Sequence, residues 1–328
     1  MKGKTAMFRF TYILLIGLFI AGTAFAQVNH WKDEWPDTDF TKKSIEYNEI
    51  FSSGPGKDGI PAILKPDFHK AVDEQKIGSR EPVMTVELPG QVPRAYPIRY
   101  LMWHEIVNDV IGDVPIAVTF CPLCNSGITY DRRINGRILT MGVTGKLRYS
   151  DMVMYDHETE SWWQQFMGVG IIGEMTGVTL KTIPSWTESW ADFKARNPQA
   201  IVMREPTKSK RRYGANPYAG YDTAQPFLYK GENPPHDIHP LERVVVVGTR
   251  AWPLERFKKT SVIDEVGLHI TWKSGTASAL DTRSIAKGRD VGAIRVRDAK
   301  TGKDIAHDVA FAFSFHAFHP NGVWMLGG

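Results

Sequence analysis

Residues 114–131 read VPIAVTFCPLCNSGITYD. An apolar run at 116–120 leads into Cys121-Pro122-Leu123-Cys124, and a second strand-like run at 128–130 follows Asn125-Ser126-Gly127. Strand, Cys-Pro-x-Cys, glycine, strand is the pattern of a metal knuckle. Backbone N–H groups of such a turn point at the sulfurs and stabilise them as thiolates. The same four residues could serve a redox-active disulfide, although the strand that follows them is not the helix of a thioredoxin-like site. Cys121 and Cys124 are the only cysteines in 328 residues. A chain of this length buries enough surface to need no staple, and a bridge closing so small a loop restrains little unfolded-chain entropy.

Working outward, residues 99–111 (RYLMWHEIVNDVI) carry Trp103, Ile106, Val107, Val110 and Ile111 at helical spacing. The spacing predicts a helix that Gly112-Asp113 ends and that feeds directly into the cysteine turn. His104 then sits at the edge of its buried face. Upstream, residues 83–88 and 94–98 read as a strand pair across Pro89-Gly90-Gln91. Downstream, short alternating runs at 138–143, 152–155, 170–172 and 180–183 suggest an antiparallel meander. Residues 187–197 predict a second helix capped by Thr187. Further strands are expected at 243–247, 262–266 and 269–272, with a late hairpin over 293–309. Alternation at Phe311, Phe313 and Phe315 predicts a strand near the end, which would put His316 and His319 on opposite faces. The expected fold class is α+β: one mainly antiparallel domain with a helix packed next to a Cys-x-x-Cys hairpin.

The termini and composition bound the function. Residues 1–26 read as a cleavable export signal: Lys2, Lys4 and Arg9, an apolar core at 12–21, and Ala24-Phe25-Ala26 as the cleavage site. That core is shorter than the ~20 residues of a membrane span, so no stable span is expected after cleavage, and the mature chain belongs in the periplasm or outside the cell. Removing three positive charges lowers the formal net charge from +4 to +1. No clustered basic face points to nucleic acid, and the basic run 208–212 reads as a solvated loop. Residues 27–53 form an N-terminal arm and residues 54–328 the domain. The loop 54–61 (GPGKDGIP) lacks the Gly-Lys-Ser/Thr ending of a phosphate cradle, so no nucleotide cofactor is expected.

Several separated motifs then add up. They include Gly56-Lys57-Asp58-Gly59-Ile60-Pro61, Trp103-His104-Glu105-Ile106-Val107-Asn108-Asp109 and Phe120-Cys121-Pro122-Leu123-Cys124. Met154-Tyr155-Asp156, Glu160-Ser161-Trp162-Trp163-Gln164-Gln165 and Pro217-Tyr218-Ala219-Gly220-Tyr221 continue the series in order. Together they resemble the prokaryotic family called domain of unknown function 3179, from about Gly54 to the C-terminus. The resemblance implies one family-wide domain and no established activity or substrate. Members often carry Cys-Pro-Leu-Cys-Gly where this chain has Asn125, a residue that still tolerates a left-handed backbone.

Three functions fit the residues. The first is a metal protein binding copper or zinc, which suit two thiolates and an imidazole. Its ligands would be Cys121 and Cys124, with His104 as the best third and His319 as a further candidate; His157 and His316 are weaker ones. Met141, Met152 and Met154 could add a thioether but read first as core. The second is a thiol–disulfide oxidoreductase using the same pair. The third is a non-enzymatic binding module with a structural disulfide. The partner is an unknown small molecule, a metal or another exported protein. Asp151, Asp156, Glu158 and Glu160 would serve a hydrolase only by converging, Ser126 lacks a nucleophile frame, and one of Trp162 and Trp163 is expected in the core.

Overall fold

Val114–Cys121 and Ser126–Asp131 form the expected hairpin, with Ile116 opposite Asp131 and Cys121 opposite Ser126. A computed structural model describes Val28, residues 30–207 and residues 209–327. The export signal at 1–26 lies outside the described residues, as does Lys208 of the basic run. Among the described residues no helix is long and apolar enough to cross a membrane.

The hairpin's other neighbour corrects the sequence reading. The helix covers only Ile98–His104, and Ile106–Ile111 is a strand paired with Val114–Cys121. Ile106, Val107, Val110 and Ile111 are β-branched and fit a pleated surface better than a helix. Asn108 and Asp109 are also buried, so the strand is covered on both faces except at the exposed Val110 near its end. Gly112, read as a helix stop, instead takes φ 62 in the tight turn between the two strands.

The α+β expectation is overturned in the same way. The chain is mostly β, with five sheets of three to five strands in a propeller-like arrangement and a further two-stranded ribbon among the described residues. Helices such as Trp190–Arg196 and Leu254–Lys259 are short. Several sheets combine strands far apart in sequence: Pro82–Val86 lies between Arg94–Pro97 and Ser185–Ser189. Thr187 belongs to that last strand, and Ser189 caps the following helix by accepting from the Asp192 N–H at 3.1 Å.

The expected late hairpin forms at its turn, where Arg297 bridges Asp304 and the Ile305 N–H donates to the Val296 carbonyl at 3.0 Å, but its longer pairings lie elsewhere. Ala293–Asp298 pairs with Leu268–Lys273, whereas Asp308–Phe311 pairs with Arg243–Val247. Ala312–Phe318 is a helix, not a strand. Residues two apart on a helix point about 200° apart, which sends Phe313 into the main core and Phe315 into a second one.

The meander forms in part: its last expected piece, Thr182–Ile183, pairs instead with Ser126–Asp131. Met141–Arg148, Asp151–Asp156, Trp162–Gln164 and Val169–Ile172 follow one another in one antiparallel sheet. One face packs on the main core through Met152, Met154 and Trp163. The arm covers the other, stacking Trp31, Trp35 and Phe40 around Trp162. Both Trp162 and Trp163 are therefore fully buried. A bulge at Thr144-Gly145 admits the 54–61 loop, because a Cβ on Gly145 would lie 2.0 Å from the Pro55 carbonyl oxygen.

Candidate metal centre

The cysteine turn is built by its two strands and pinned from outside. Asn125 takes φ 52, the left-handed conformation expected of a glycine substitute. Its side chain adds what glycine lacks: the amide donates to the Val309 carbonyl at 2.6 Å, and its oxygen accepts from Arg243 at 3.5 Å. The Phe311 N–H donates to the Cys124 carbonyl at 2.8 Å. Both cysteines are free thiols, buried in the main core cluster.

A second turn faces them. Between Met141–Arg148 and Asp151–Asp156 the two linking residues, Tyr149 and Ser150, take φ 50 and 64. Two consecutive positive φ values make the tight primed turn of a hairpin, normally the province of Asn and Gly. This turn presents the Ser150 carbonyl 3.5 Å from the Cys124 sulfur and 3.9 Å from that of Cys121. It also carries Asp151, one of whose carboxylate oxygens lies with both sulfurs in a group all within 4.8 Å of one another.

Asp151 is held and yet incomplete. Its Oδ2 accepts from Gln164 Nε2 at 2.5 Å and from the Phe166 N–H at 2.9 Å, whereas Oδ1 has no hydrogen-bond partner among the described residues. Burial pushes its carboxyl up to about 6, against the lowering effect of those donors and of the neighbouring Cys124 and Cys121 thiols. Burial also pushes both thiols up, Cys124 further than Cys121. Two thiols placed this closely in a dry site keep their protons unless a cation replaces them.

The predicted histidines lie elsewhere. His104 has both ring nitrogens engaged, Nδ1 with the Pro61 carbonyl and Nε2 with the Tyr213 hydroxyl, each at 2.7 Å. It braces the 54–61 loop against Tyr213. His319 ends the Ala312–Phe318 helix and lines a separate cavity with Phe166 and Met167. His157 stacks on Tyr155. Neither His104 nor His319 joins the thiol group among the described residues. The three methionines are buried in the main core cluster.

The other carboxylates do not converge on a hydrolytic pair. Asp156 accepts from Trp163 and Thr159, Glu158 from the Thr140 N–H, and Glu160 pairs with Lys57. Asp151 was thus visible in the sequence only as one acid among several. The available signal was its place directly after a two-residue turn between apolar strands.

A mostly β chain with a buried Cys-x-x-Cys turn and an incomplete aspartate beside it is the class that fold and site define. The chain belongs to the family described as Protein of unknown function (DUF3179), which it matches over residues 57–322. No curated protein and no solved structure matches it.

Proposed function

We propose that this chain is an exported metal protein that holds zinc on Cys121, Cys124 and Asp151. The observation that carries the reading is the unpartnered Oδ1 of Asp151 within reach of two buried thiols. An orphaned buried carboxylate oxygen is costly, and a cation bound by all three groups removes that cost. Two thiolates and a carboxylate suit zinc, which accepts sulfur and oxygen alike, better than the softer copper(I). Three protein ligands leave one position of a tetrahedron open, the arrangement in which zinc activates water or polarises a carbonyl. Buried thiols with raised pKa are poor nucleophiles, which disfavours disulfide exchange by the same pair.

The test is metal content of the mature protein purified without chelator. About one zinc per chain is expected, with loss of most of it in Cys121→Ser and in Asp151→Asn. Copper in place of zinc would move the assignment to a redox or delivery role. A metal-free protein that takes up neither ion would sink the proposal.

A further inference from the structure

The segment between Ile201–Met203 and Arg243–Val247 is long and mostly irregular, with the single turn Tyr221–Thr223 as its named element. Irregular segments of this length inside a compact domain usually carry function when they are ordered. This one is anchored: Asp222 is fully buried and pairs with Arg243 at 3.1 Å, and Asn216 donates to the Thr282 carbonyl at 3.1 Å. It lies over Val143, Leu147 and Met152 of the meander and with them lines a half-open cavity of about 430 Å³. That volume falls in the roughly 300–1,000 Å³ range of small-molecule pockets. Leu123, from between the two cysteines, forms part of the wall.

One wall residue is out of keeping with the rest. Glu105 is only 7% exposed, lines the cavity, and its carboxyl has no hydrogen-bond partner among the described residues. Its backbone takes φ 58 and ψ −33, a sparsely populated conformation that glycine would adopt with less strain. A strained position occupied by a buried acid points to use of the side chain. The cation that acts on Glu105, Arg211, lies outside the cavity lining. Asp151 acts on Glu105 as a like charge, and the cavity's one lysine, Lys146, is engaged by Glu34 at 2.9 Å. Tyr218, Tyr221 and Phe227 line the cavity, and aromatic faces attract a cation.

We propose that this cavity binds a small amphipathic amine, its apolar body against Leu123, Val143, Leu147 and Met152 and its ammonium on Glu105. The site lies beside the thiol group and does not depend on the metal assignment.

Calorimetric titration of the full mature chain with n-octylamine, n-octanol and octanoate tests this, with zinc content measured alongside. Octylamine should bind about tenfold or more tighter than octanol, the value of one charge-assisted contact. Glu105→Gln should bring octylamine to the octanol level while leaving octanol binding and zinc unchanged. Ala224→Trp, at an exposed position on the cavity wall, should abolish binding of both. Equal binding of octylamine and octanol to the wild type, preference for octanoate, or no binding of any of the three would overturn the proposal. So would loss of zinc together with octylamine binding in Glu105→Gln, which would make Glu105 a metal ligand. Amine binding by a chain that holds no zinc would sink the metal reading and leave this one standing.

Discussion

Glu105 and Asp151 show how much of this protein's chemistry rests on single buried acids. Burial is the largest cause in both, holding Glu105 at about 8 and Asp151 at about 6, and the same cause raises Asp308 to about 6. A carboxyl whose folded pKa is raised is neutral in both states at low pH, so its penalty is absent there. The penalty grows as pH climbs from the unfolded value towards the folded one, by up to about 1.4 kcal/mol per pH unit for each group. Desolvation lowers the pKa values of the buried His104 and the half-buried His307 and His319, so their effect falls below about pH 6.5, their unfolded value. Between pH 6.5 and 8, therefore, Glu105 dominates. Melting temperature of the chelated protein should fall across that interval, and Glu105→Gln should flatten the fall. A melting temperature that rises towards pH 8 in the wild type would show that the carboxyl is satisfied in some other way.

At the scale of elements, two tight turns make the centre, each with a residue where glycine would be easier. Asn125 holds its left-handed turn and ties it to the Val309 carbonyl and Arg243. Asn125→Gly should keep the turn but lose about 1–2 kcal/mol with those bonds. Asn125→Ala should lose more, because it adds the strain of a positive φ. Urea denaturation separates the two, and an alanine variant as stable as glycine would mean that the backbone does not require φ > 0. The cysteine hairpin was legible because its two strands are adjacent in the chain and its turn residues are distinctive. The strand Ile106–Ile111 was not, since apolar residues at 106, 107, 110 and 111 satisfy a helix face as well as a doubly buried strand. Pairing of Val107 with Val118 chooses between them. His104 was reachable from the helix reading, but its ring is spent on Pro61 and Tyr213, contacts between loops that local periodicity does not describe.

For the whole molecule, the N-terminal arm is part of the core. Trp35 is fully buried, edge-on to Tyr155 at 4.6 Å and to Trp162 at 5.4 Å between ring centroids. Trp35→Ala should cost about 3–5 kcal/mol in urea denaturation, the range for emptying a large aromatic site. A cost below about 1 kcal/mol, the level of a surface change, would mean that the arm docks too weakly to shape the sheet. The arm also explains the tryptophan pair. Alternation along Trp162–Gln164 correctly sends the two rings to opposite faces, and only the arm makes the second face an interior as well.

The sequence by itself determined the cysteine turn and its flanking strands, most of the antiparallel meander, several outer strands and the family. All of these are local patterns, written in residues that neighbour one another along the chain. Tertiary structure alone decided that Asp151 stands beside the thiols, that Glu105 faces a cavity, and that residues 106–111 extend a sheet. Those outcomes depend on which turns and loops meet after the sheets pack, and periodicity within one segment carries no information about that meeting.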